Sequence, residues 1–328
     1  MPERNSVFQK IQIGVEVTKG TPVAATRILT ATQFTMGPKF DVKMFRASGY
    51  RFPTVEALGK EWVEAQLEGP LTYSGEIVYW LSSAIKTVTP STASGATTWT
   101  FDMSSNAVNT TKAYTVEMGS AERAHKFSYG QLTGIGMSFS RDECKLTGSM
   151  IGKAFTDAIT MTTLTGTAEM ALIPVMPTEV SIKLADTAAG LAGATALTRG
   201  FAVDFSLDKL TDVIYPLNAS TTWTAEAATV PDSSVSLLVE ADSEGMALLS
   251  NVRTGATKFL RIGATGKQIG AGPATYALTI DMAVQFTGMD DFQDEQGVFA
   301  AKWNGALVHD KTFDKALTIT VVNETPGL

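Results

Sequence analysis

Two histidines, His125 and His309, are all the imidazoles in 328 residues, so a Ser-His-Asp triad or a histidine-rich metal site has almost nothing to draw on. His125 sits in Arg123-Ala124-His125-Lys126. Neighbouring cations disfavour its charged form, and the segment reads as an exposed turn. His309 and Asp310 put an imidazole next to a carboxylate, but adjacent residues on a strand point to opposite faces, which suits a solvated strand end better than a catalytic pair. The lone thiol, Cys144 beside Lys145, reads as a small buried side chain rather than a nucleophile, and a single cysteine excludes an internal disulfide framework.

Two further segments imitate known sites. Gly263-Ala264-Thr265-Gly266-Lys267-Gln268 approaches a phosphate-binding loop, yet Arg261 stands where that motif needs its first glycine and Gln268 where it needs Ser or Thr. It reads as a turn. Asp290-Asp291-Phe292-Gln293-Asp294-Glu295-Gln296-Gly297 departs from the spacing of a calcium loop and reads as a charged surface loop. The sequons at Asn109 and Asn218 are taken as chance. The expectation is a protein that is not an enzyme and holds no metal or cofactor.

The elements that position these residues are mostly strands. Alternation runs through Phe40-Asp41-Val42-Lys43-Met44-Phe45, Trp62-Val63-Glu64-Ala65-Gln66-Leu67, Tyr114-Thr115-Val116-Glu117-Met118, Ala202-Val203-Asp204-Phe205-Ser206-Leu207 and residues 276–282, as in half-buried antiparallel sheet. Two helices are predicted. One covers residues 74–86, with Ser74 as N-cap. The other covers residues 243–253, with Ser243 before it and Gly255 after it. Trp62, Trp80 and Trp303 fall inside alternating or amphipathic segments, as core residues do.

The same order of elements occurs twice. Residues 21–27 resemble 191–197, and Phe40 is matched with Phe201. The helix at Ser74 is matched with that at Ser243, Tyr114 with Tyr276, and Gln131-Leu132-Thr133-Gly134 with Gln285-Phe286-Thr287-Gly288. These offsets run from 154 to 170 and predict two tandem domains, 1–170 and 171–328. The boundary is expected at 165–178, where Pro174 and Pro177 interrupt regular structure.

Charge is divided unevenly. Residues 1–168 hold 16 Lys and Arg against 14 Asp and Glu, whereas 169–328 hold 10 against 19, for a net −7 overall. Such a chain lacks the clustered cations that grip nucleic acid. No run of about 18 apolar residues is present, and Met1-Pro2-Glu3-Arg4-Asn5 lacks the apolar core of a signal peptide, so synthesis and assembly are expected in a cytosol.

Arg46-Ala47-Ser48-Gly49-Tyr50-Arg51-Phe52-Pro53-Thr54, with Gly59-Lys60-Glu61-Trp62-Val63-Glu64 and Glu68-Gly69-Pro70-Leu71-Thr72-Tyr73, resembles major tail tube proteins of long-tailed, non-contractile bacteriophages. So do Phe139–Ser149, Glu240–Leu249 and the closing Ala316–Asn323. The resemblance implies a mainly β fold: two tail-tube-like β-sandwich or rolled-sheet units, each with one helix packed outside, whose inner strands complete a β-barrel on oligomerisation. It implies rings stacked into a hollow tube through which phage DNA passes without specific binding. Three chains would make a pseudo-hexameric ring, or six if the duplication is false. It further implies a place in the virion tail, assembly in the bacterial host cytoplasm, and a tape-measure protein, tail terminator and tail tip as partners, with no membrane.

The loop Ser48, Gly49, Tyr50, Arg51, Phe52, Pro53, Thr54, within residues 46–59, is the candidate contact between rings, together with residues 215–231. Glu64, Glu117, Asp204, Glu240 and Asp281 alternate with apolar neighbours and are candidates for an acidic wall facing the DNA, which would repel phosphate. The competing readings are a virion decoration or receptor-binding β module, and then a β-rich hydrolase.

Overall fold

All five alternating segments lie in strands of the computed structural model, which describes residues 8–104 and 106–328; the reading of Met1 to Asn5 falls outside them. The chain is mainly β. The first half contains β1 (Lys10–Val15), β2 (Arg27–Leu29), β3 (Gln33–Phe45), β4 (Val55–Pro70), α1 (Gly75–Ala84), β5 (Ser91–Ala93), β6 (Ala96–Asp102), β7 (Tyr114–Gly119), β8 (Ala124–Ser140), β9 (Cys144–Gly152) and β10 (Phe155–Asp157). The second contains β11 (Val180–Ala185), β12 (Gly200–Asp208), β13 (Thr211–Ile214), β14 (Ala225–Ala228), β15 (Asp232–Glu240), α2 (Ser243–Met246), α3 (Leu248–Thr254), β16 (Lys258–Gln268), β17 (Thr275–Met289), β18 (Gln293–Glu295), β19 (Val298–Leu307) and β20 (Leu317–Asn323).

The ladders of the first half run β3–β4–β9–β8–β7–β1, with β10 also beside β8. Those of the second run β12–β15–β19–β17–β16–β11, with β20 also beside β17. The two orders correspond step for step. Both also share a bulge: Thr133 is the extra residue between Leu132 and Gly134 on β8, and Thr287 the extra residue between Phe286 and Gly288 on β17. A bulge bends and twists a strand. Here it lets one long strand leave one layer and enter the other, as at the corner of a sandwich.

Counting along the ladders from these bulges corrects two of the sequence matches. Leu67 corresponds to Leu237, and their partners Phe34 and Val203 correspond in turn, so Phe40 and Phe201 are not equivalent. Tyr114 lies on β7, whose counterpart is β16, whereas Tyr276 lies on β17. The tyrosines occupy different strands because a chance aromatic at a strand start carries no register information.

The halves are joined by shared sheet. Antiparallel β12 pairs with residues 135–140 of β8, so one sheet runs β3–β4–β9–β8–β12–β15–β19–β17, with β18 on the far margin of β19. In the other layer β6 adds to β20, extending β11–β16–β17–β20 with a strand from the first half. Between the layers lie Trp80, Trp99, Trp303, Phe101, Phe127, Phe205 and Phe286, all fully buried.

The helices differ from expectation. All ten residues of α1 are buried, so it sits inside the body rather than on its surface. Its polar side chains make that possible. Glu76 accepts from the backbone N–H of Thr30, Ala31 and Thr32 at 2.6, 2.9 and 2.9 Å, and Ser83 Oγ accepts from Leu132 N–H at 3.0 Å. Ser74 makes no side-chain cap bond. The second helix is broken at Ala247 and capped by Asp242, not Ser243. Gly255 ends it in the left-handed region at φ 67°, where glycine carries no Cβ penalty.

Candidate assembly surfaces

Three of the five candidate acids share a surface. On β4 the buried Val63, Ala65 and Leu67 alternate with outward Glu64, Gln66 and Glu68; on β12, Val203, Phe205 and Leu207 alternate with Asp204, Ser206 and Asp208. Asp204 fixes the alignment across strands, because its carboxylate accepts from Ser138 Oγ on β8 at 2.6 Å and from Ser236 Oγ on β15 at 3.0 Å. Glu240 is in phase with Ser236 and pairs with Arg199 at 2.6 Å. Glu64 pairs with Lys39 at 3.6 Å and accepts from Trp62 Nε1. This outward face is furnished with Ser, Thr, Gly and carboxylates, and Asp204, Asp208 and Glu68 are exposed on it.

The other two acids lie elsewhere. Glu117 is 3% exposed and accepts from Thr162 N–H and Oγ1 at 2.8 and 3.0 Å; the segment after β10 covers it, so it faces no solvent. Asp281 lies in the other layer, held by two parallel bonds from Arg261 at 2.6 and 2.7 Å. That geometry is the strong bidentate form, and its charge is compensated locally. Alternation with apolar residues marks a strand face but cannot tell which layer the strand joins.

Ser48, Gly49, Tyr50, Arg51, Phe52, Pro53 and Thr54 form the tip of the long β3–β4 hairpin, closed by Thr54 N–H to the Phe45 carbonyl at 2.9 Å and turned at Gly49 with φ 85°. Residues 55–59, expected as loop, belong to β4. The arm's outer part is apolar and uncovered: Phe40, Met44, Phe45, Tyr50, Phe52 and Val55 are each more than half exposed. The alternation of Phe40, Val42 and Met44 is that of a strand with one buried face, yet among the described residues nothing buries it.

The corresponding arm of the second half is residues 209–231, of which 215–231 are the second candidate contact between rings. It folds back instead. Trp223 is fully buried, 4.2 Å from the Tyr129 ring, and donates to the Gly152 carbonyl at 3.2 Å. Glu61 N–H bonds the Thr221 carbonyl at 2.9 Å, Lys60 lies 4.6 Å over Tyr215, and Lys19 pairs with Glu226. Trp223 went unnoticed in the sequence because the loop around it, Thr221-Thr222-Trp223-Thr224, has no periodicity.

The residues considered for chemistry are dispersed. His125 is on β8, half-buried and 5.3 Å from Phe155, not in a turn; burial lowers its pKa, Asp157 opposes that, and Arg123 adds to it. Cys144 is buried, and burial first, then Glu179 and Glu143, push its thiol up to about 11. Residues 263–268 are strand within β16, with Gly266 against Tyr73, not a turn. The acidic run includes β18. His309 lines a cleft of about 700 Å³ with Ile85, Val108, Leu210, Val230 and Leu307. Among the described residues, no three His, Cys, Asp or Glu side chains converge as metal ligands, and no helix is long and apolar enough to cross a membrane.

No protein-family model matches the sequence, and no curated protein matches it either.

Proposed function

We propose that this chain is a structural block of a bacteriophage tail tube, made of two copies of one β unit, residues 1–170 and 171–328, and that three chains close a pseudo-hexameric ring. The observation that carries the reading is the repeated ladder order with its shared bulge. Two units built alike and joined in one sheet would supply a third of a pseudo-sixfold ring. Rings then stack into a conduit for DNA in the virion tail, assembled in the host cytoplasm around a tape-measure protein and bounded by a terminator and a tip. The outward face bearing Glu64, Asp204 and Glu240 supplies the wall, where negative charge repels phosphate. The β3–β4 arm, with its uncovered aromatics, supplies the contact between rings.

One observation favours a second reading, a virion decoration or receptor-binding module: Phe40, Phe45, Tyr50 and Phe52 cluster on a single projecting arm, as aromatics do at binding surfaces. Electron microscopy of the purified protein separates the two. Stacked rings or hollow tubes are the expected outcome; dispersed monomers at high concentration would leave the binding module as the better reading.

A further inference from the structure

Two backbone edges of the shared sheet lie at its opposite margins. Among the described residues, β3 is laddered to β4 alone, and residues 289–295, from the end of β17 through β18, are laddered only to β19. An unpaired edge of this kind is a template for another chain. Within the chain, the counterparts of these two edges are already joined. β12, the counterpart of β3, lies antiparallel against residues 135–140 of β8, the counterpart of 289–295, with Ala202 opposite Ser140, Asp204 opposite Ser138 and Leu207 opposite Ile135.

We infer that the same ladder forms between two copies of this chain, β3 of one against residues 289–295 of the next, with Gln33 opposite Glu295, Thr35 opposite Gln293 and Pro38 opposite Met289. The register follows from correspondence. Phe34 faces Leu67 as Val203 faces Leu237, which sets Thr35 in the place of Asp204. Gln293 faces Ala300, four residues before Asn304, as Ser138 faces Lys145, four before Ser149, and Asn304 and Ser149 both sit beside the shared bulge. The inference rests on the ring reading above and supplies its seam.

Three features of the edges suit this contact. Glu295 and Asp290 meet the uncharged Gln33 and Gly37, so no like charges oppose each other, which would be destabilising. Phe292 and Phe299, a T-shaped pair with centroids 6.4 Å apart, are 52% and 75% exposed beside this margin, and an incoming strand would cover them. Pro38 has no N–H to give, and proline in a sheet is confined to edges and ends; it takes the place of Leu207, where the internal ladder also stops. Because each copy offers one edge of each kind, the contact is head-to-tail and closes when the rotation per chain permits.

The seam is tested by paired cysteines. Thr35 and Gln293 lie at opposite margins of one sheet, seven strand steps apart at about 4.8 Å each, roughly 34 Å, too far for a disulfide within one chain. Thr35→Cys combined with Gln293→Cys, mildly oxidised and run on a denaturing non-reducing gel, is expected to link most chains into dimers and trimers. Gln33→Cys with Glu295→Cys repeats the measurement one pair along the same face. Thr35→Cys with Asp294→Cys, whose side chains point to opposite faces, is expected to link few. Rings or tubes in the microscope with no linkage in either matched pair would overturn the seam and leave the ring reading standing. Neither rings nor linkage would overturn both, and linkage without tubes would uphold the seam while removing the conduit.

Discussion

Trp223 and Gly152 come from different halves of the chain, and the indole Nε1–H of the first donates to the carbonyl of the second at 3.2 Å. This bond, with the Tyr129 ring 4.2 Å away, fastens the 209–231 arm to the first half. Trp223→Ala removes a fully buried indole together with its bond to the Gly152 carbonyl. A loss of about 3–5 kcal/mol is expected, read as a lower urea midpoint. Trp223→Phe keeps most of the packing and should lose less. Equal losses for the two would mean that the hydrogen bond, not the packing, holds the arm.

Glu76 gathers the backbone N–H groups of Thr30, Ala31 and Thr32 while lying on a helix with no exposed residue. Its carboxylate thereby lets α1 enter the interior, since buried donors left unmade cost about 1–3 kcal/mol each. Glu76→Ala is expected to destabilise by at least about 3 kcal/mol or to abolish soluble expression. Glu76→Gln retains one acceptor oxygen and should fall between. Thermal unfolding of the three proteins gives the order, and an alanine variant as stable as the parent would show that the nest is dispensable.

These two residues also mark how far the sequence was legible. The strands were, because alternation is a local signal: the segment at Trp62 and the one at Ala202 both bury the alternate residues that the pattern names. The bulge at Thr133 and Thr287 was visible as a repeated Gln-x-Thr-Gly, although its role as a corner was not. What a strand pairs with is a long-range property, so Glu117 and Glu64 looked alike in sequence yet one is covered by Thr162 and the other faces outward. Burial of α1 was hidden for the same reason, because the donors that satisfy Glu76 lie 44 to 46 residues away. The arm at Phe40 shows the opposite case: the pattern of a buried face is present, and no described residue covers it.

Stability should fall at alkaline pH. Burial raises the Cys144 thiol from its ordinary 9 to about 11, and burial followed by Glu226 raises the Tyr129 phenol from 10 to about 12. Both groups are neutral in either state below pH 9, so the folded protein keeps its full stability there. As pH rises from 9 to 12 the unfolded chain releases these protons before the folded one does, and stability is lost across that window. Urea midpoints at pH 8, 9, 10 and 11 measure the slope. Cys144→Ala should flatten its lower part, between pH 9 and 11; an unchanged slope would show that the thiol contributes nothing to it.

Deleting Ser48 through Thr54 separates folding from assembly. Every residue of this tip is exposed, and its hydrogen bonds stay within the tip apart from those closing the hairpin at Phe45 and Ala47. Removing it leaves Ala47 to join Val55, the core is untouched, and the unfolding free energy should change by no more than about 1 kcal/mol, as for other surface alterations. The seam residues Gln33 to Pro38 lie at the far end of the same hairpin, so single rings should still close. Stacking should not survive, because the deletion removes Tyr50 and Phe52 from the apolar surface that the arm presents. Microscopy of the variant is therefore expected to find rings without tubes, and normal tubes would rule out this tip as the contact between rings.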